Sequence, residues 1–304
     1  MLIRFGFEIT VSCTQPVPML MALSTHSAFE GRLIGSDRVR ADRGADITRY
    51  IDSYGNQISR AVAEAGATTY WSDCVAEVDG RPDHVPFEAR QHLIQDLPDE
   101  TLTFLTASRY CDSDHLIKFA WANFGHTNEG WDRVAAISSY VHNHVTFGYK
   151  FGRPDKTARD VLEEKTGVCR DFAHLGVSLC RAMNIPARYA SGYLGDFGVP
   201  DTGFDDFCAW FEVYLGDRWH TVDARYNVPR IGRILMVRGS DASDVAMITS
   251  FGAYELAGFR VWSTEVEGRP TDPELLAMLD IRPAPRSAAG PDFGTAVPGT
   301  VHLI

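Results

Sequence analysis

Cys169 stands in the stretch TGVCRDFAHLGVSLCRAMNIPARYASGYL (166–194), just after a glycine and at the mouth of what reads as a buried helix. A cysteine nucleophile acts as its thiolate, so an ordinary thiol pKa of about 8.5 has to be lowered. A helix N-terminus does this through unsatisfied backbone N–H groups, and the same groups hold the oxyanion of an acyl intermediate. The bland alternative is a small buried hydrophobic side chain at a helix start. A nucleophile also needs a base and a third group that orients it.

The strands that follow supply candidates. FCAWFEVYL (207–215) and RWHTVDARYN (218–227), joined by Gly216-Asp217, read as a hairpin with a two-residue turn. Leu215 then pairs with Arg218, and counting back sets Asp223 opposite Trp210. Side chains alternate along a strand, so Cys208, Trp210 and Glu212 share a face with Thr221 and Asp223. Asp223 therefore faces the side where position 208 would hold a base.

GVCRDFAHL, CRAMNIPARYASGYL, DFCAWFEVYLGDRWHTVDARYN and GSDASDVAMITSFG resemble the motifs of the bacterial transglutaminase-like family, often described as cysteine proteases. YGN, SRYCDSD and GWDRVAAISSYVHNHVTFGY resemble its earlier segments, and the likeness runs with gaps from about residue 2 to about residue 266. The resemblance implies a papain-like Cys-His-Asp arrangement, with Cys169 on the nucleophile position and Asp223 on the orienting carboxylate. The histidine that it implies falls on position 208, where this chain has cysteine.

Cys208 is a poor substitute for imidazole, because its unperturbed pKa is about 8.5 and its conjugate base is an anion. Two thiolates and Asp223 in one pocket repel, which raises the pKa of Cys169. His220 is close in sequence, but the hairpin register pairs it with Val213 and turns it away from Asp223. His174, five residues after Cys169 on the same helix, lies roughly 140° around it and reads as a satisfied core histidine. A Cys169–Cys208 disulfide is physically possible, although a cytosolic redox poise opposes it. A zinc site needs about four ligands, and only Cys169, Cys208 and Asp223 are at hand. No metal is expected.

Trp210, Tyr193, Tyr214 and Glu212 are candidates to line a substrate groove, each with a plain structural alternative as a core aromatic or a strand carboxylate. Asp241 and Asp244 are candidate helix caps. Arg170 and Asp171 should tune the start of the Cys169 helix, and Cys180 reads as core. His142 and His144, two apart on a helix, point to different faces and read as boundary residues. There is no D-x-D-x-D-G calcium loop, no P-loop and no dinucleotide glycine fingerprint, so no cofactor is expected.

These residues have to be positioned by the rest of the chain. Residues 2–12 and 67–78 alternate as strands, and a turn at Tyr54-Gly55-Asn56 lies between them. Proline punctuates a polar connector over 81–105. Helical spacing follows: Leu116, Phe119, Ala120 and Phe124 after a cap at Asp112 or Ser113, then Val134, Ile137, Val141 and Val145, then a short helix ending at Gly167. The Cys169 helix spans Val168 to Met183, with Ala173 and Gly176 allowing close packing. FRVWSTEV (259–266) is a late strand, and the Pro-, Gly- and Ala-rich stretch beyond it reads as a mobile tail.

The sequence thus implies an α+β fold with an N-terminal β-rich domain (1–108), a transglutaminase-like core (109–266) and a C-terminal tail (267–304). A net charge of −11 and a pI near 5.3 argue against nucleic acid or an anionic membrane as partner. MLIRFGFEITVSC carries charges within its apolar run, unlike a signal peptide, and no uncharged run reaches the roughly 20 residues of a membrane span. Six scattered cysteines suit free thiols in a cytoplasmic protein. The expected activity is cysteine-dependent hydrolysis of a peptide or protein amide, or acyl transfer, impaired by Cys208. The alternatives are a non-catalytic peptide- or protein-binding descendant and a thiol redox sensor. Nothing in the sequence fixes the oligomeric state.

Overall fold

The computed structural model describes residues 1–29, 32–43, 46–200, 205–269, 271–279 and 300–301. The N-terminal third is built from β1 (Leu2–Cys13), β2 (Val17–Met21), β3 (Arg32–Ile34), β4 (Arg40–Ala41), β5 (Thr48–Ile51), β6 (Gln57–Ala63) and β7 (Gly66–Glu77). The apolar side chains of β1 explain its central place: Ile3, Phe5, Phe7, Ile9 and Val11 are all fully buried. The turn at Tyr54-Gly55-Asn56 is fastened by Asp52, whose Oδ1 accepts from the backbone N–H of Tyr54 and of Asn56, both at 2.9 Å.

A helical segment follows, with α1 (Asp99–Leu102), α2 (Ser113–Phe124), α3 (Trp131–His144), α4 (Ala158–Glu164) and α5 (Cys169–Ala182). Two short strands, β8 (Thr146–Phe147) and β9 (Thr166–Gly167), form a parallel pair just ahead of α5. Asp112 precedes α2 but does not cap it; its Oδ1 accepts from the Arg159 N–H at 3.1 Å, at the start of α4. The short helix α4 stops at Glu164 rather than at Gly167, because Lys165 takes the left-handed conformation (φ 59°) that ends it.

The core sheet has the order β12–β11–β10–β13, formed by β10 (Ala187–Tyr193), β11 (Phe207–Leu215), β12 (Arg218–Val222) and β13 (Ile234–Gly239), all antiparallel. Its hairpin follows the register read from sequence: Leu215 pairs with Arg218 and Val213 with His220, across Gly216 (φ 52°) and Asp217 (φ 68°). Two positive φ values are what a two-residue turn of matching twist requires. The helix α5, buried at every position, lies on this sheet. A Cβ on Gly176 would stand 2.5 Å from Cε1 of Phe211, so the contact between α5 and β11 needs glycine there.

The last elements are β14 (Ile248–Ser250), β15 (Glu255–Val266), α6 (Pro273–Met278) and β16 (Thr300–Val301). A core domain running to residue 266 would keep β14 and β15 with the α5 sheet. Instead β15 pairs with β1 along its length, and β14 pairs with β2, so both complete the N-terminal sheets. The physical reason is that β1, whose apolar face is fully buried, needs a neighbour on each edge, and β7 covers only one. Of the stretch read as a mobile tail, Leu275 of α6 packs with Leu2, Ile34 and Val75, and β16 pairs with β14; residues 280–299 and 302–304 lie outside the described residues. The arrangement is α+β throughout, and one apolar cluster runs from β1 to Cys169 and Cys208.

Candidate active site

Cys169 is the first residue of α5, and the turn that presents it is built from the bottom up. Gly167 bonds into β9 and sits against Asp171, where a Cβ would stand 2.6 Å from the Asp171 Cβ. Asp171 Oδ2 accepts from the Val168 N–H at 3.0 Å, closing the first turn, while its Oδ1 accepts from Arg170 Nη2 at 2.9 Å. Arg170 also donates to the Arg153 carbonyl at 2.7 Å. These two residues therefore fix the helix start, as their position suggested, and leave the first-turn N–H groups beside Cys169 pointing along the helix axis.

Cys208 comes from β11, opposite Gly192 of β10, where the ladder with β13 shifts register. The absence of a side chain at 192 is required, because a Cβ would stand 2.0 Å from the Ile234 carbonyl. The Cys169 and Cys208 thiols are both buried in one cluster with no disulfide between them, and Cys208 Sγ donates to the Ala209 carbonyl at 3.7 Å. Burial, then the contact with Cys208, pushes the Cys169 thiol well above its ordinary range. The interaction with Cys169 pulls Cys208 down, opposed by burial and by Asp223 and aided by Arg225 and Arg233. The first ionisation thus belongs to the pair of sulfurs, with Arg225 and Arg233 favouring the charged form of Cys208.

Asp223 follows β12 directly and lies at the site, but its oxygens serve arginines and backbone rather than position 208. Oδ1 accepts from the N–H groups of Arg225 and Tyr226, both at 3.0 Å, and Oδ2 accepts from Arg233 Nη2 at 2.7 Å. The turn made this way sends the Arg225 guanidinium over the ring of Phe147 (3.7 Å) and against Tyr226 (4.7 Å). Burial works against its charge, while Cys208 and Cys169 hold it protonated. Arg233 also binds Asp83 Oδ2 at 2.8 Å and lies 4.8 Å from the Trp210 ring. Asp206 stands two residues before Cys208, and Tyr149 lies close enough to influence its carboxyl. Burial pushes the Asp206 carboxyl far above the carboxylate range.

The expected groove residues turn inward. Trp210 is a shelf for Arg233 and is 2% exposed. Tyr193 packs between Phe5 (4.9 Å) and Phe207 (5.0 Å) in the cluster shared with β1. Glu212 is clamped by Arg188 at 2.6 Å and by Arg238 through two bonds of 2.8 Å, and the two guanidiniums keep its carboxyl low against the effect of burial. A substrate-binding role for Tyr193 and Glu212 does not fit these internal contacts. Tyr214 packs on Trp219 and His92. Asp241 and Asp244 cap no helix; they fasten the turn after β13, and Asp241 Oδ2 accepts from the Tyr110 N–H at 2.7 Å.

Neither nearby histidine turns its ring to the sulfur pair. His220 faces away, with Nε2 3.1 Å from the Leu215 carbonyl, and burial lowers its pKa. His174 accepts the Ala242 N–H on Nε2 at 3.1 Å and stacks on Tyr110. A cavity of about 230 Å³ reaches Asp223 from the α3 side, lined by Trp131, Ser139, Thr221 and Asn227 among others. Among the described residues, no three His, Cys, Asp or Glu side chains converge as a metal-holding group.

Sequence reasoning missed Arg225, Arg233, Asp206 and Tyr149. Two of these had a signal: an excess of sulfur and carboxylate in one pocket demands cations, and Arg225 is two residues past Asp223.

The sequence pattern of the Transglutaminase-like superfamily matches residues 120–224, a span that contains Cys169, Cys208 and Asp223. An uncharacterized protein of Mycobacterium leprae (strain TN) is 27% identical over 208 residues, 65% of this chain and 73% of that protein. The kyphoscoliosis peptidase of Homo sapiens is 30% identical over 105 residues, which is 31% of this chain and 15% of that protein. The crystal structure of a "putative cysteine protease" from Cytophaga hutchinsonii aligns with a TM-score of 0.76 at 28% identity, covering 88% of this chain and 92% of that one. No helix among the described residues is long and apolar enough to cross a membrane.

Proposed function

From the premise that this chain carries a transglutaminase-like core domain, we propose that it performs cysteine-dependent chemistry on peptide or protein amides. The observation that carries this reading is the place of Cys169, buried on the first turn of α5 with the buried Cys208 thiol as its neighbour in one cluster. Cys169 Sγ attacks the amide carbonyl as its proton passes to the Cys208 thiolate, and the first-turn N–H groups of α5 hold the oxyanion. Arg225 and Arg233 offset the charge of the pair. Water or an amine then releases the acyl group, with hydrolysis favoured. A thiolate is a weaker proton acceptor than imidazole at neutral pH, so turnover is slow.

The test is acylation of Cys169 by short peptide anilides, followed by intact-protein mass. The wild type should form a Cys169 adduct, Cys169→Ala should form none, and Cys208→His should accelerate acylation at least tenfold. A Cys208→His protein that remains as inert as Cys169→Ala overturns the enzyme reading and favours a peptide-binding descendant of the fold.

The thiol contact itself favours a second reading, a redox pair. The Cys208 thiolate would attack a hydroperoxide to give a sulfenic acid and an alcohol, and Cys169 would displace water to close a disulfide. Loss of two thiols under mild hydroperoxide, reversed by a dithiol reductant, supports it; single-site oxidation refutes it.

A further inference from the structure

A catalytic histidine in a cysteine hydrolase has two tasks: it takes the proton of the thiol and gives one to the leaving amine. In this chain the first task falls to Cys208, and a thiol that has just received a proton is buried beside two arginines. The leaving nitrogen needs a donor of its own, and one buried group near both sulfurs is not used by anything described above.

That group is Asp206. It immediately precedes β11, two residues ahead of Cys208, and its charge is felt by Cys169 and by Cys208 alike. Its Oδ1 accepts the Phe207 N–H at 2.7 Å. Its Oδ2 is buried and has no hydrogen-bond partner among the described residues. Tyr149 lies beside the same carboxyl, and its charge interactions are with Asp206, Arg225 and Cys169. A buried carboxyl oxygen without a partner is costly unless it holds a proton or meets one in the reaction.

We infer that Asp206 is the general acid of this site, donating a proton from Oδ2 to the leaving amine while Tyr149 positions its carboxyl. The inference rests on the amide chemistry proposed above. The step balances. The Cys169 sulfur–carbon bond forms, the carbon–nitrogen bond breaks, the Cys169 proton moves to Cys208, and the Asp206 proton moves to the nitrogen. The products are a thioester, a free amine, a neutral Cys208 thiol and an Asp206 carboxylate. In the second half, Asp206 takes a proton from the attacking water and Cys169 recovers its own from Cys208 as the acid leaves. Burial as the main influence on Asp206 is in keeping with a carboxyl that rests protonated.

The measurement is single-turnover acylation of Cys169 by a matched peptide anilide and peptide nitrophenyl ester, in the wild type, Asp206→Asn and Asp206→Glu. A nitrophenolate leaves without a proton, whereas an anilide nitrogen does not, so the anilide-to-ester ratio isolates the acid. General acids of this kind contribute about 10²- to 10⁴-fold. The ratio should fall at least 100-fold in Asp206→Asn and recover partly in Asp206→Glu. The infrared carbonyl band of a protonated carboxyl should be present in the wild type and missing from Asp206→Asn, a readout independent of turnover. A parallel fall of both substrates makes Asp206 a structural residue and overturns the inference, as does an unchanged ratio. If the wild type is acylated by neither substrate, the amide reading fails and the general acid falls with it; acylation by both, with an unchanged ratio in Asp206→Asn, sinks the acid alone.

Discussion

Asp223→Asn separates a carboxylate that orients a base from one that organises cations. The substitution keeps shape and leaves an oxygen able to accept from the Arg225 and Tyr226 N–H groups, now 3.0 Å from Oδ1. It removes the negative partner of Arg233, 2.7 Å away, and Arg233 is only 8% exposed in its side chain. Leaving a buried charge wholly unpaired costs about 3–5 kcal/mol. Asp83 still holds the Arg233 Nε at 2.8 Å, so about half of that cost applies, roughly 2 kcal/mol. At about 2–4 °C per kcal/mol for a large domain, Tm should fall by about 4–8 °C. The charge of Asp223 raises Cys208, so its loss should move the first thiolate to lower pH, and the released guanidinium acts in the same direction. Ultraviolet thiolate absorbance against pH reads this with little interference. Burial pushes up Cys13 and Cys180, and takes Cys74 and Cys111 to about 12, so only the Cys169–Cys208 pair ionises early. A midpoint that rises in Asp223→Asn refutes the reasoning and restores Asp223 as an orienting partner of position 208.

Two further substitutions probe the scaffold. Gly167→Ala drives a Cβ to 2.6 Å from the Asp171 Cβ and should break the Asp171–Val168 bond that starts α5, costing about 1–3 kcal/mol by overpacking; denaturant unfolding measures it, and Cys169 acylation should fall with it. Glu212→Gln leaves Arg188 and Arg238 without their shared carboxylate and should cost about 3 kcal/mol. The Cys208 thiolate midpoint should stay where it is, which a pH titration of the folded variant would check.

The parts of this molecule that periodicity and turn chemistry govern were legible before any coordinates. The hairpin register followed from Gly216-Asp217 alone, and with it the turn of His220 away from Asp223. The close approach of α5 to β11 was implied by Gly176. Pairings between distant strands were not legible, because no local rule says that β15 returns to β1 across more than two hundred residues. The same limit explains Tyr193 and Glu212. An aromatic and a carboxylate on strands carry no mark that distinguishes a groove from an interior, and only the partners at Phe5, Phe207, Arg188 and Arg238 decide it.

The cysteine at 208 reads differently once its surroundings are known. A thiol beside Cys169, at the position where the family resemblance implies imidazole, is negative before it takes a proton, whereas imidazole becomes positive on taking one. A buried site tolerates that change of sign only if cations move in. Arg225 and Arg233 fill that need, each tied to Asp223, the first through its backbone N–H and the second through its guanidinium. Asp223 thereby keeps a position that suits a triad while doing a different task. Both guanidiniums act on Cys208 in the same direction, towards the thiolate, against burial and Asp223.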